Sequence, residues 1–203
     1  MKILIVGLTY GDRPKDIISD NLINAGYPYK FIEVNKEGVA NALNDGIDIA
    51  VIDGFDAVAY LANDIIEPKD WLKKKVEALE TYPFAGIVAS SLDENRKGVN
   101  SEHIISNWLL SLKVVDKIGC FNEEMFPYGP IDLDYCERAN LSGFNTYYVK
   151  DCLAQHIGEH GSGEDYGYDK AQLLSDNWDK HVADIQGYQS GTKKLKLWRQ
   201  ENM

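Results

Sequence analysis

Asn63 and Asp64 end a run that starts at Ala57 and is apolar except at Tyr60, and they are the first place in this chain where reactive side chains gather. A run with no polar alternation predicts a strand buried on both faces, as in the middle of a parallel sheet. Open α/β sheets bind ligands beyond the carboxyl ends of their strands, so Asp64 is delivered to where a ligand sits. Hard oxygen donors at such an end suit Mg²⁺ or Mn²⁺ shared with a diphosphate. A strand end closed by turn residues ahead of Pro68 is the competing reading.

A second group lies in Tyr128-Gly-Pro-Ile-Asp-Leu-Asp-Tyr-Cys-Glu-Arg138. Asp134 stands four residues before Arg138, an ion-pair spacing on a helix, and reads as structural. Asp132 has two open readings: the N-cap of that helix, or an exposed carboxylate able to take a proton. A third group, Thr9, Tyr10 and Asp12, lies in the loop Gly7 to Pro14 directly after an apolar strand, Lys2 to Val6. Nucleotide sites often begin this way, but the loop lacks both GxGxxG and GxxxxGK[ST], and an ordinary turn before a helix remains open.

The elements that must hold these groups alternate between strand and helix. Helices are expected over Pro14 to Asn24, within Asn35 to Gly46, from Pro68 through Leu79, over Val114 to Ile118, from Asp132 to Gly143 and over Asp169 to Ile185. Strands are expected at Tyr29 to Val34, Ala85 to Ser91, Ile104 to Leu110, Asn145 to Val149 and Cys152 to His156. Gly26 and Gly143 read as helix stops, and Pro68 as a helix start. Leu92 to Glu102 reads as a loop and Gly158 to Gly167 as a mobile lid rich in glycine and acids. The alternation gives an α/β class and a single domain over 1–190. A basic tail follows over 191–203.

Composition narrows the partners. The 203 residues carry a formal net charge of −11, which repels polyanions and argues against nucleic acid. Only Lys193 to Arg199 is basic, giving a possible peripheral contact with an anionic membrane or a solvated end. Cys120, Cys136 and Cys152 form an odd set without CxxC spacing, and no secretory leader precedes the first strand, so the reduced cytoplasm is the expected compartment. No apolar run approaches the ~20 residues that span a bilayer.

Taken in order, Asn35-Lys-Glu-Gly38, Asn44-Asp-Gly46, Leu61-Ala-Asn-Asp64, Pro68 with Trp71-Leu72, Val115 to Gly129, Asp132-Leu-Asp134 with Arg138, Ser142-Gly-Phe144 and His156 resemble the family 2-like GT-A glycosyltransferases. The resemblance covers residues 1–160 and is most specific over Val115 to Gly143. It implies a Rossmann-like GT-A domain, with helices on both faces of a mixed, mostly parallel sheet, divided into a nucleotide-binding half over 1–92 and an acceptor half over 93–190. It also implies an inverting, non-processive hexosyltransferase working on a nucleotide-sugar donor, UDP-linked by preference, and a glycan or glycoconjugate acceptor.

By the same resemblance Asp64 matches the last acid of the family's DxD motif, with Ala62 where the first acid stands. His156 matches a C-terminal histidine that adds a ligand to the Mn²⁺ or Mg²⁺; a buried, satisfied histidine is the plain alternative. Asp132 matches the catalytic base, with Ile131 in place of a glutamate that meets the acceptor. Thr9, Tyr10 and Asp12 match the nucleotide loop. Glu33 or Asn35 stands in for a base-binding segment that is shortened here, and Asn44 and Asn63 complete the donor side. Trp108, Phe126 and Tyr128 are placed to stack on sugars, although aromatics at such spacing also build cores. Two other functions stay open: a nucleotide-sugar or carbohydrate-binding module without catalysis, and a sugar-phosphate nucleotidyltransferase, for which Arg13 would be the only cation in the first loop.

Overall fold

The computed structural model describes residues 1–9, 16–92, 107–125, 128–157 and 169–194. Their centre is a six-stranded sheet with β1 at Ile3–Leu8, β2 at Lys30–Val34, β3 at Ala57–Leu61, β5 at Ala85–Ser91, β6 at Trp108–Ser111 and β7 at Asn145–Leu153. The spatial order is β2-β1-β3-β6-β5-β7. β6 runs antiparallel to both of its neighbours, and every other pairing is parallel. A separate two-stranded ladder joins β4, Ile65–Ile66, to β8, Gln155–His156.

The strands lack polar alternation because both faces are covered. On one face Leu4, Val6, Val58, Ile87 and Leu110 pack under α2, Val39–Ile52, α4, Leu112–Ile118, and α5, Ile131–Leu141. On the other, Ile3, Ile5, Ala59, Leu61, Val88 and Leu109 pack under α1, Asp16–Ile23, and α3, Trp71–Thr81. A sixth helix, α6 at Lys170–Ser190, is capped by Asp169, whose carboxylate accepts from the Gln172 amide at 3.0 Å. It lies on α5. Among the described residues no helix is long and apolar enough to cross a membrane.

The expected mixed, mostly parallel α/β sheet is therefore present, and several boundaries move for physical reasons. α2 does not end at Gly46 but continues to Ile52, because Ile47 and Ala50 are fully buried and the missing Cβ at Gly46 lets the helix lie against Val6. The central strand stops at Leu61 rather than Asn63, where the chain turns toward β4. The two expected strands after Gly143 are one strand, β7, carried past an irregularity in its pairing with β5 near Asp151, which has φ 58°. α3 starts at Trp71, with Pro68 just outside it and Asp70 at its N-cap in the left-handed region. The expected loop over 93–102, the start of the expected strand at 104–106, the lid over 158–167 and most of the basic tail lie outside the described residues.

Candidate active site

The carboxyl ends of β1, β2, β3, β5 and β7 form one rim of the sheet, and the reversed β6 brings its amino end, Trp108, to the same rim. Asp64 leaves β3 at this rim, and its neighbour Ile65 is aligned with His156 in the β4–β8 ladder. The Ile157 amide then donates to the Asp64 carbonyl at 2.9 Å. This register sets the Asp64 Oδ2 and His156 Nε2 atoms 3.4 Å apart, each side chain 28% exposed.

Two ligands side by side on an octahedral ion with bonds of ~2.1 Å stand ~3 Å apart, so a pair separated by 3.4 Å is close enough to share a hard divalent cation. Ala62 contributes no ligand, and among the described residues no set of three or more His, Cys, Asp or Glu side chains gathers for a metal. The remaining coordination positions would fall to oxygens of a bound ligand and water.

At the β1–β2 end of the rim, buried Thr9 donates its hydroxyl to the Glu33 carboxylate at 2.9 Å, and its amide to the Val34 carbonyl at 3.2 Å. Glu33 and Asn35 are exposed, and Asn63 is half-buried next to Asp64. Tyr10, Asp12 and Phe126 lie outside the described residues.

α5 runs from the rim toward the start of β7, which places Asp132 at its rim end. Pro130, not Asp132, occupies the N-cap: its carbonyl accepts from the Asp134 amide at 3.0 Å, and no side chain caps the helix. Asp132 is thus the second residue of α5, half-buried beside Trp108, and the capping reading is withdrawn. Burial raises the pKa of the Tyr128 phenol, and the nearby Asp132 carboxylate adds to the rise. Asp134 is structural as expected, accepting from Arg138 Nε and Nη2 at 2.9 Å, while Arg138 holds the Ile118 and Cys120 carbonyls at 3.0 Å.

Several expected contacts have other duties. Asn44 is fully buried: its Nδ2 donates to the Phe121 carbonyl at 3.1 Å and to Glu123 Oε1 at 3.0 Å, and its Oδ1 accepts from the Phe121 amide at 2.8 Å. Both of its amide hydrogens are spent inside the protein, and burial at 0% exposure keeps the side chain from a bound donor. Trp108 is 6% exposed and stacked on Phe121 at 5.3 Å, with Phe121 on Tyr135 at 4.0 Å, so its ring belongs to the core instead of a sugar platform. Ile131 likewise packs against the core, and the Tyr128 carbonyl is held by Asn177 Nδ2 at 2.7 Å.

Sequence reasoning missed a buried polar group beneath Asp64, built from Asn21, Glu67, Lys75, Ser90 and Asn107, each no more than 3% exposed. One signal was present. Lys75 falls on the helical stripe of Trp71, Leu72, Val76 and Leu79, where an apolar residue belongs. The contacts of α6, Asn177 with the Tyr128 carbonyl and His181 Nδ1 at 3.9 Å from Asp134 Oδ1, had no signal in the sequence.

Residues 11–155 match the family described as Glycosyl transferase family 2. Among solved structures, S. aureus TarS is 13% identical with a TM-score of 0.58, over 93% of this chain and 43% of that one. The mannosyltransferase PcManGT of Pyrobaculum calidifontis, solved with GDP-Man and Mn²⁺, is 13% identical with a TM-score of 0.58, over 78% of this chain and 58% of that one. The catalytic domain of Drosophila beta1,4-galactosyltransferase 7, solved with xylobiose, is 16% identical with a TM-score of 0.58, over 83% of this chain and 74% of that one. This chain thus spans less than two thirds of the first two, and likeness at these identities speaks for fold alone. No curated protein sequence matches.

Proposed function

This chain belongs to glycosyl transferase family 2, and from that premise we propose that it is a divalent-metal-dependent enzyme moving one sugar from a nucleotide-sugar to the hydroxyl of a glycan or glycoconjugate, with inversion. The observation that carries the metal and donor reading is the 3.4 Å approach of Asp64 and His156 at the carboxyl rim, held by the β4–β8 register. Those two residues would hold the ion. When bound, it supplies charge neutralisation for the departing diphosphate.

Asp132 is assigned as the base. It takes the proton of the acceptor hydroxyl as the acceptor oxygen bonds to the anomeric carbon, and the electrons of the breaking carbon–oxygen bond leave on the nucleoside diphosphate. One in-line displacement inverts the centre. The Thr9–Glu33 pair, with Asn35 and Asn63 beside it, is assigned to the nucleotide side of the rim. A UDP-sugar is the first donor to try. GDP-sugars follow because the similar mannosyltransferase was solved with GDP-Man.

Thermal unfolding with Mn²⁺ and a panel of UDP-, GDP- and dTDP-sugars tests this reading. A donor present at ~100 times its dissociation constant adds about 2.7 kcal/mol, which for a chain of this size raises the melting temperature by ~5–10 °C. The rise is expected with one nucleotide class and to shrink without metal. No rise with any member of the panel overturns the donor site.

A further inference from the structure

The buried polar group beneath Asp64 is built around an ion pair with no contact to solvent. The Glu67 and Lys75 side chains are both 0% exposed, and Lys75 Nζ donates to Glu67 Oε1 at 2.9 Å. Lys75 also donates to the Asn107 carbonyl at 3.0 Å and lies 4.6 Å over the Trp71 ring. The Ser90 hydroxyl donates to the second Glu67 oxygen, and Cys152 Sγ lies 3.2 Å from Ser90 Oγ. Asn21 ties in from α1: its Oδ1 accepts from the Glu67 amide at 2.9 Å, and its Nδ2 donates to the Ile65 carbonyl at 2.8 Å. Asn107 Oδ1 accepts from the Ala62 amide at 2.8 Å.

Stability does not account for such a pair. Removing two charges from water offsets most of their attraction, and apolar residues of similar volume often serve as well or better. The geometry supplies a different account. The network holds the Ala62 amide just before Asp64 and the Ile65 carbonyl and Glu67 amide just after it. β4 contributes only Ile65 and Ile66 to its ladder, too little to fix its own position. The Asn107 Nδ2 atom finds no acceptor among the described residues, while its Oδ1 holds the Ala62 amide at 2.8 Å.

We propose that Glu67 and Lys75, together with Asn21 and Asn107, are positioning residues for the ion-holding pair, fixing β3 and β4 so that the Asp64 carboxylate and the His156 imidazole reach one divalent cation together. This rests on the assignment of Asp64 and His156 as metal ligands. Residues that orient first-sphere ligands change metal affinity by about 10- to 100-fold when removed.

The test compares Lys75→Met, the double variant Glu67→Leu/Lys75→Met, Asn107→Ala and Asp64→Ala, reading melting temperature and Mn²⁺ affinity by titration with Mn²⁺ alone. Lys75→Met strands the buried carboxylate and is expected to melt far below the parent. The double variant is expected to regain the melting temperature while its Mn²⁺ affinity stays about 10- to 100-fold weak. Saturating Mn²⁺ is then expected to restore its turnover. Asn107→Ala, which leaves the ion pair in place, is expected to show the same loss of affinity with a smaller change in melting. Parental Mn²⁺ affinity in either the double variant or Asn107→Ala, with Asp64→Ala binding poorly, overturns the positioning role alone. Parental affinity in Asp64→Ala overturns the ligand assignment beneath it.

Discussion

Asn44 on α2 and Phe121, far apart in sequence, are joined as two peptide groups would be: the Asn44 amide takes the Phe121 N–H at 2.8 Å and gives one of its own to the Phe121 carbonyl at 3.1 Å. This bridge fastens α2 to the segment leading into α5, the helix that carries Asp132. Replacing Asn44 by Ala orphans both backbone groups, at about 1–3 kcal/mol each. Urea denaturation is expected to show that loss with an unchanged m-value, while donor affinity of the folded variant stays at the parental level. A selective loss of donor affinity would return Asn44 to the binding site.

Asp132 does not cap α5, so its loss is expected to leave the fold alone. Asp132→Asn is expected to lower transfer by about 10²- to 10⁴-fold, the range for a missing general base, with melting temperature and donor affinity unchanged. Single-turnover kinetics alongside donor titration separates the two effects. Unchanged transfer in the variant removes Asp132 from the chemistry.

Gly46 stands mid-helix where alanine is intrinsically better by about 1 kcal/mol. A Cβ there would lie 2.6 Å from Val6 Cγ2. Gly46→Ala is therefore expected to destabilise by about 1–3 kcal/mol through overpacking. Adding Val6→Ala to the same chain is expected to relieve the clash, seen as a positive coupling in a double-mutant cycle by chemical denaturation.

Burial raises the pKa of Tyr135, strongly, and that of Tyr128. Both hold their protons more tightly folded than unfolded. Below the unfolded value of about 10 both states are protonated and the contribution to stability is complete. Above it the unfolded chain releases protons that the folded chain keeps, so stability falls as pH rises, by up to about 1.4 kcal/mol per pH unit for each tyrosine. Melting temperatures from about pH 8 to about pH 11 are expected to decline above 10, and Tyr135→Phe is expected to lessen the slope by one proton. The same variant frees the Gly119 carbonyl, which the Tyr135 hydroxyl reaches at 2.9 Å, so its stability at neutral pH is expected to drop.

The parts of this structure legible in the sequence are those set by local pattern. The apolar runs of β1, β3 and β5 announce strands buried on both faces, and the spacing of Asp134 and Arg138 announces their ion pair. Asp64 and His156 could be marked individually, but their meeting depends on a two-residue ladder, β4 against β8, too short for any periodicity to reveal. Gly46 misleads because a glycine in a helical stretch signals either an end or a close approach, and only the position of Val6 decides between them. Trp108 and Asn44 misleads of another kind: each has side-chain chemistry suited to a ligand, and each is consumed by a partner more than ten residues away in sequence, Phe121 in both cases. Lys75 shows the reverse, a charge inside a helical stripe that could have been read as a buried partner awaiting its acid.

Because β6 runs against its neighbours, the chain departs from the sheet after Ser91 and re-enters it before Trp108 along the same border that carries Asp64. An ordinary crossover would spend such a connection on reaching the far border, whereas the antiparallel pairing of β5 with β6 asks only that the chain reverse its direction.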